Sequence, residues 1–211
     1  MQGRIPEPYP ENLTIFETMR AEADGRIVLW AHHLARLRRG CAAVGFFLDE
    51  DRVQAALAGL PRGKVMRARL AVEASGHVIL AHAPLPPNPS SWRVRLATQR
   101  LDAADPWLSI KSSHRSVYEA ARDDLPPGID EALLLNTDGH LCEGSITSLF
   151  LCRDGVLLTP ALSCGLLPGV LRAELLARRI AQEAVLRPED LLSGQLYCGN
   201  ALRGLIPARL A

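Results

Sequence analysis

The chain has 211 residues, of which 48% are hydrophobic and 22% charged; this composition is typical of a globular protein with one large domain or two small lobes. The 24 lysines and arginines nearly balance the 23 acids, so the net charge of +1 does not favour binding to nucleic acid or to a membrane surface. No apolar run approaches the roughly 18–20 residues that span a bilayer, and the amino-terminal residues lack the apolar core of a signal peptide, so we expect a cytoplasmic protein.

The first part of the chain predicts a small α/β lobe over residues 1–98. Its predicted elements, in chain order, are two strands within 14–30 joined by a turn at 23–25, helices at 32–44 and 49–57, and strands at 64–74, 77–83 and 92–98. His32 and His33 begin the first helix, where we expect a capping or surface role rather than a catalytic one.

Residues 99–110 have no hydrophobic period and contain an Asp-Pro step, so we interpret them as the connection between lobes. A larger lobe follows over 111–211. Its predicted elements are a helix near 114–124, strands at 131–136, 140–151 and 156–160, and an amphipathic helix with the stripe Leu171, Leu175, Leu176 and Ile180. Over 197–210 we expect a short strand, a loop and a last strand. The five cysteines are odd in number and form no C-x-x-C pair, so we expect buried thiols and no metal site.

Lysine is rare in this chain, which contains only Lys64 and Lys111. Lys111 follows the predicted connection, in the stretch LSIKSSHRS. A lysine amine becomes a useful nucleophile when its surroundings lower its pKa or when a carbonyl cofactor captures it. Lys111 is therefore a candidate, with an exposed structural lysine as the alternative.

A glycine-proline loop precedes the last predicted helix, in the stretch GLLPGVLRAELL. Gly165 and Gly169 free the backbone just before the helix begins. The first N–H groups of a helix lack internal partners and favour an anion, so this loop could hold a phosphate. A plain turn is the alternative. The nucleotide-binding patterns G-x-x-x-x-G-K-[ST] and G-x-G-x-x-G are absent from the sequence.

The stretch CEGSITSLFL places Glu143 at the start of an apolar strand, where a carboxylate needs a cation or a hydrogen-bond donor. A solvated acid, or one paired with arginine, is the alternative. A lysine, an acid and a phosphate cradle together are what pyridoxal 5'-phosphate requires. Ser145 and Thr147 lie two and four residues further on, so we expect one of them to face the cofactor with Glu143.

Six stretches in order carry a family resemblance: FETMR (16–20), HHLARL (32–37), IKSSHRSVYEAAR (110–122), DEALLLNTDGHLCEGSITSLF (130–150), LLTPALSCGLLPGVLR (157–172) and GNALRGLIPA (199–208). On these the chain resembles the fold-type IV, class IV aminotransferase-like proteins, and within them the aminodeoxychorismate lyases. The resemblance implies a mixed α/β, two-lobed fold, with a small α/β sandwich lobe and a larger β-barrel-like lobe with flanking helices. It also implies pyridoxal 5'-phosphate as cofactor, a small-molecule amino substrate and a homodimer.

The resemblance also assigns roles. Lys111 would hold the cofactor covalently, Glu143 would face its ring nitrogen, and Thr18 would assist proton transfer. The phosphate would be bound by Arg36, by the amides of Val170 and Leu171, and by Asn200. Separately, Arg203 is a candidate for binding a substrate carboxylate, because its loop neighbours Asn200. The implied reaction converts 4-amino-4-deoxychorismate to 4-aminobenzoate and pyruvate in folate biosynthesis. The alternative is an aminotransferase acting on branched-chain or D-amino acids with 2-oxoglutarate.

The sequence departs from the family pattern at three positions. Leu171 replaces a threonine of the phosphate cradle, and Ser148 replaces an asparagine of the strand after Glu143. The aminotransferases place a tyrosine five residues after the lysine, where this chain has Ser116, and Tyr118 lies two residues further on. The partner of the cofactor's O3' oxygen therefore stays open.

Overall fold

A computed structural model describes residues 4–5 and 7–211, which form a mixed α/β structure. The chain divides into two compact units. The first contains the residues up to Pro87 together with 109–114, and the second contains 88–108 together with 115–211. These bounds differ from the predicted lobes, 1–98 and 111–211. The alternating pattern predicts a strand at 92–98, but it does not predict which strands pair with it. Those partners belong to the sheet of the second unit.

The first unit packs two helices against a three-stranded antiparallel sheet. Its elements are β1 (Thr14–Ala21), α1 (Trp30–Ala43), α2 (Glu50–Ala58), β2 (Met66–Glu73) and β3 (Val78–Pro84), with the sheet order β1-β2-β3. Alternate residues of β1 and β2, including Ile15, Met19 and Leu70, are buried. The strand that alternation predicts over 64–74 pairs with the strand predicted over 77–83, so the structure confirms both strands and their pairing.

The predicted hairpin within 14–30 does not form. Its second half makes only an isolated bridge between Ala21 and Ile27. Val28 still donates its N–H to the Arg20 carbonyl, but Leu29 then takes a positive φ of 56° and the chain turns directly into α1. The partner that β1 pairs with along its length is β2, more than forty residues away in the chain.

The second unit contains an eight-stranded mixed sheet. Its elements are β4 (Trp92–Leu101), α3 (Ser116–Asp123), β5 (Glu131–Asn136), β6 (Leu141–Gly144), β7 (Ser148–Arg153), β8 (Val156–Pro160), α4 (Val170–Ala177), β9 (Ala181–Ala184), β10 (Gln195–Asn200) and β11 (Gly204–Leu210). The sheet order is β6-β5-β4-β11-β10-β7-β8-β9, and the sheet curls so that β6 approaches β7 and β8. Every residue of β5 is buried, as expected of a strand covered on both faces.

Three predicted elements in this unit have different bounds in the structure. Residues 99–110 contain regular structure, because β4 continues to Leu101 and a 3-10 turn occupies Pro106–Ser109; their role as the connection between lobes stays a prediction. The predicted strand at 140–151 is two strands, β6 and β7, separated by a turn in which Gly144 N–H donates to the Thr147 carbonyl. Helix α4 ends at Ala177, and Ile180 lies beyond it with 43% of its surface exposed.

The described residues contain no helix that combines the length and the apolar character needed to cross a membrane. All five cysteines are free thiols, four of them buried and Cys152 half-buried. Burial raises the pKa of the Cys41, Cys142 and Cys198 thiols to about 12, so they stay protonated at neutral pH.

Gly40 lets α1 approach β1 closely. A Cβ at Gly40 would lie 2.7 Å from Ile15 Cγ2. We expect Gly40→Ala to lower the free energy of unfolding by about 1–3 kcal/mol, since inserting a methyl group into a packed core forces its neighbours to move. Gly59→Ala is the control, because the nearest atom there is 3.4 Å away. Denaturant unfolding of the two variants checks this, and equal losses would contradict the close approach.

Candidate active site

Lys111 lies beside β1. Phe16 donates its N–H to the Lys111 carbonyl at 2.9 Å, and Ser113 donates its N–H to the Thr14 carbonyl at 2.9 Å. The Lys111 side chain is half-buried, with Nζ 4.7 Å from the centre of the Phe16 ring. The Lys111 side chain is therefore not fully exposed, and its role as a nucleophile stays a prediction. Backbone hydrogen bonds to a strand fix the position from which the amine projects.

One face of β1 combines several groups that could contact a substrate. Phe16 and Thr18 are two residues apart, so their side chains lie on the same face. Thr18 is directly opposite Arg69 of β2, and the Arg69 guanidinium carbon lies 3.5 Å from the centre of the Phe16 ring. The predicted Thr18 hydroxyl is thus on the face that carries the Lys111 amine and a cation.

The opposite face of β1 carries Glu17, whose carboxylate is almost completely buried. Arg36 donates from Nε and Nη2 to its two oxygens at 2.7 and 2.6 Å, and His33 Nδ1 lies 2.6 Å from Oε2. Burial alone would raise the pKa of Glu17, but Arg36 and His33 together lower it to about 2. This buried ion pair ties α1 to β1.

Two sequence predictions meet at this ion pair. The prediction of a capping or surface role for His33 is wrong, because its side chain is fully buried and directed at an acid on another element. Arg36, the predicted phosphate ligand, uses Nε and Nη2 on Glu17. A phosphate contact from Arg36 would have to use its other N–H groups, and that role stays a prediction.

Glu143 lies on β6 with 5% of its surface exposed. Its Oε1 accepts a hydrogen bond from the Tyr118 hydroxyl at 2.7 Å and another from the Leu167 N–H at 2.8 Å. The alternative of a solvated acid is therefore wrong, since donors meet this carboxylate inside the protein. Leu167 belongs to the loop before α4, so the acid is joined directly to the predicted phosphate loop.

A third buried acid, Glu131 at the start of β5, was not among the residues predicted from the sequence. It accepts the Ser145 and Ile146 N–H groups at 3.0 and 3.2 Å, and the hydroxyls of Ser145 and Thr147 also donate to it. Burial raises the pKa of Glu131, and these donors act against that rise. The sequence signal for Glu131 is its place as the first residue of EALLLN, directly before an apolar run.

Glu131 determines where the predicted hydroxyl of Thr147 is directed. Thr147 Oγ1 lies 2.8 Å from Glu131 Oε2 and donates its proton there. A hydroxyl has one proton, so Thr147 could act towards a cofactor only as an acceptor. Its predicted role in cofactor binding stays a prediction, and its observed role is to hold the turn that follows Glu143.

Helix α4 begins with uncapped backbone amides. Gly169 is its N-cap and no side chain caps the first turn, which contains Val170 and Leu171. A Cβ at Gly169 would overlap the Ser148 hydroxyl oxygen. Ser148 therefore fills the space directly against Gly169. The uncapped amides can donate to an anion such as a phosphate.

The predicted polar residues of the GNALRG loop, Asn200 and Arg203, make contacts within the second unit. Asn200 Oδ1 accepts the N–H groups of Leu202 and Arg203 at 3.1 and 3.0 Å, and Asn200 Nδ2 donates to the Ile146 carbonyl at 3.2 Å. Arg203 Nη1 donates to Asn88 Oδ1 at 3.1 Å. These contacts define the loop, and the phosphate and carboxylate roles stay predictions.

These residues match the chemical demands of pyridoxal phosphate. The first unit supplies a half-buried lysine amine held against a strand. The second unit supplies a buried carboxylate, Glu143, and an uncapped helix start preceded by glycine. A carbonyl carbon, a ring nitrogen and a phosphate are the groups that such a lysine, acid and helix start can bind. The donor set therefore fits this cofactor.

The buried Glu17–Arg36 pair should contribute strongly to stability. The pKa of Glu17, about 2, lies below its ordinary value of 4.5, so its charge stabilises the fold above about pH 4.5 and this contribution is lost as the pH falls towards 2. We expect Glu17→Gln to lower the unfolding free energy at neutral pH by about 3–5 kcal/mol. The variant should also show a shallower fall in stability between these pH values.

Glu50→Gln is the matched control for Glu17→Gln, because Glu50 makes a bidentate pair with Arg38 at the surface. The unfolding midpoint of Glu50→Gln should stay close to that of the unchanged protein. Denaturant unfolding at a series of pH values measures both variants. Equal effects of the two substitutions would show that burial does not distinguish the pairs.

The contact of Gly169 with Ser148 predicts a rescue. Gly169→Ala should lower the unfolding free energy by about 1–3 kcal/mol through overlap with Ser148 Oγ. Ser148→Ala removes that oxygen, and the Ser148 Cβ lies 3.6 Å from the added methyl carbon. The double variant should therefore be more stable than Gly169→Ala alone. Thermal unfolding of the three variants measures the coupling, and additive losses would contradict the contact.

Comparison with known proteins agrees with this geometry. The sequence profile described as amino-transferase class IV matches residues 14–211. A crystal structure of a "Putative amino-acid aminotransferase" from Mesorhizobium loti is 42% identical, has a TM-score of 0.88, and covers 95% of this chain and 100% of its own. A "Putative aminodeoxychorismate lyase" of Schizosaccharomyces pombe is 25% identical over 204 residues, 92% of this chain and 87% of that protein.

A "Probable branched-chain-amino-acid aminotransferase" of Thermotoga maritima is 28% identical over 145 residues, 64% of this chain. The match spans 52% of the Thermotoga protein, about half its length, and 26–28% of other branched-chain aminotransferases. The family match covers nearly the whole chain, residues 14–211. The chain belongs to the amino-transferase class IV family of pyridoxal-phosphate-dependent, fold-type IV enzymes.

Proposed function

We propose that the chain is a lyase that converts 4-amino-4-deoxychorismate to 4-aminobenzoate and pyruvate, a reaction of folate biosynthesis. One observation carries this proposal: Thr18 lies directly opposite Arg69, on the face of β1 that carries Phe16, whose ring the Lys111 amine contacts. The substrate has two carboxylates and expels pyruvate, so it needs cations and a proton donor near the lysine. The Schizosaccharomyces relative matches most of the chain and agrees with this assignment.

In this proposal the cofactor supplies an electron sink for the carbon that bears the substrate amine. Lys111 would hold the cofactor covalently, and its Nζ would accept the proton from that carbon. Glu143 holds the proton on the ring nitrogen. The amides of Val170 and Leu171, with Arg36, bind the phosphate. The Thr18 hydroxyl donates a proton to the departing pyruvate, and Arg69 orients a substrate carboxylate.

The second candidate is an aminotransferase that acts on branched-chain or D-amino acids with 2-oxoglutarate. The Mesorhizobium structure, at 42% identity over nearly the whole chain, favours it. Lys111 and Glu143 would have the same roles in both reactions, because both begin with removal of a proton from the amine-bearing carbon. In this proposal the two reactions are distinguished by Thr18 of β1 and by Arg69, which lies opposite it on β2.

The assembly and the location of the enzyme belong to the same proposal. We propose a homodimer that acts on a small amino substrate, as the family resemblance implies, and a cytoplasmic location. Light scattering coupled to size-exclusion chromatography tests the dimer directly. A monomer that retains full activity would overturn that part of the proposal while leaving the reaction unaffected.

Purified protein loaded with pyridoxal phosphate should release pyruvate and 4-aminobenzoate in equal amounts from 4-amino-4-deoxychorismate. Lys111→Ala should abolish product, while Lys64→Ala, which changes the only other lysine, should leave it unchanged. Thr18→Val should lower kcat by about 10²-fold or more, the usual contribution of a positioned proton donor. Coupled pyruvate detection and 4-aminobenzoate fluorescence measure the rates.

Two other outcomes would contradict the proposed lyase reaction. Amino-group exchange between branched-chain or D-amino acids and 2-oxoglutarate, without pyruvate release, would replace the lyase with the aminotransferase. A protein that cannot take up the cofactor would overturn both. The Lys64→Ala control separates loss of the active-site amine from general damage to the protein.

A further inference from the structure

Tyr118 makes a contact that its place in the sequence does not explain. It lies on α3, and its hydroxyl donates to Glu143 Oε1 at 2.7 Å. The Leu167 N–H donates to the same oxygen at 2.8 Å. Family resemblance places a tyrosine two residues earlier, at Ser116, as a partner for the cofactor's O3' oxygen. Here the tyrosine hydroxyl is directed at the acid instead.

The surroundings of Tyr118 keep its hydroxyl a donor. Burial raises the pKa of the Tyr118 phenol, and the neighbouring Glu143 carboxylate raises it further, so the phenol remains protonated across the physiological range. The Arg115 guanidinium carbon lies 5.3 Å from the centre of the Tyr118 ring, and Arg115 Nη2 donates to the Ser145 carbonyl at 2.7 Å. The ring is therefore held next to the turn that follows Glu143.

The two donors fix the orientation of the Glu143 carboxylate. The last torsion of a glutamate is broad and roughly two-fold, so an unrestrained carboxylate samples many planes. Two donors on one oxygen restrict that plane. Leu167 lies two residues before Gly169, the N-cap of α4. Glu143 Oε1 is therefore also linked to the predicted phosphate loop.

We propose that Tyr118 is a positioning residue that acts through Glu143 on the ring nitrogen of pyridoxal phosphate. The inference rests on the proposed role of Glu143 in cofactor binding, and it holds for the lyase and for the aminotransferase alike. Tyr118 does not contact the O3' oxygen in this assignment. Its hydroxyl holds the carboxylate in the plane from which it meets the ring N–H.

The test compares two cofactors that differ only at the ring nitrogen. Apoprotein is titrated with pyridoxal phosphate and with 1-deazapyridoxal phosphate, which has C–H in place of the ring nitrogen, and Kd is taken from absorbance. Tyr118→Phe should weaken pyridoxal phosphate binding by about tenfold to a hundredfold, the usual value of a hydrogen bond to a charged group. Binding of the deaza analogue should change by less than about twofold, since no ring N–H meets Glu143.

Tyr197→Phe is the matched control. It removes a hydroxyl in the same unit from a half-buried ring that packs against Phe150 and Leu175, and it should leave both Kd values unchanged. In a Glu143→Gln background, Tyr118→Phe should add no further loss of pyridoxal phosphate affinity, because a residue that acts through another has no effect once that residue is replaced.

Each other outcome overturns a specific claim. Equal losses for the two cofactors would show that Tyr118 only supports the fold, and no loss for either would show that Tyr118 does not act on Glu143. Failure of the unchanged protein to bind pyridoxal phosphate would overturn the proposed function and this inference together. Unchanged protein that binds both cofactors equally well would overturn the role of Glu143.

A second measurement covers the case in which Tyr118→Phe does not fold. With 3-fluorotyrosine at position 118, the ¹⁹F resonance should move on binding pyridoxal phosphate and move less on binding the deaza analogue. Equal shifts with the two cofactors would overturn the proposal, because the phenol would then be insensitive to the ring nitrogen.

Discussion

A charge buried in a strand must be met by donors or by an opposite charge, and this constraint organises the described structure. Three acids are buried in strands: Glu17 on β1, Glu131 on β5 and Glu143 on β6. Each is met differently. Glu17 is paired with Arg36, Glu131 accepts from the backbone and hydroxyls of a turn, and Glu143 accepts from Tyr118 and Leu167. Each compensation fixes a segment that the candidate active site requires.

The three arrangements have different consequences for function. Glu17 joins α1 to β1 and so fixes the guanidinium proposed to bind phosphate. Glu131 holds residues 145–147 as a turn and thereby ends β6 just after Glu143. The Leu167 N–H links Glu143, the acid proposed to face the ring nitrogen, to the loop before α4. The polar groups that carry the proposed chemistry are thus oriented by neighbours that do not themselves react.

Local sequence patterns predicted the parts of the site that depend on local structure. The strand face with Phe16 and Thr18 follows from alternation, and the uncapped start of α4 follows from Gly169 and the helical pattern after it. Those local patterns do not predict contacts between segments that are distant in the chain. Nothing near His33 indicates that it meets Glu17 sixteen residues earlier, and nothing near Tyr118 indicates an acid twenty-five residues later. Likewise, the pairing of β1 with β2 rather than with its own hairpin depends on tertiary structure.

The central claim is that Lys111 holds pyridoxal phosphate covalently. Because Lys64 is the only other lysine, borohydride reduction of the loaded protein followed by peptide mapping by mass spectrometry gives a direct answer. We predict the phosphopyridoxyl mass on the peptide that contains Lys111 and on no peptide that contains Lys64. Label on Lys64, or an unlabelled Lys111 peptide from protein that shows the cofactor's visible absorption band, would contradict it.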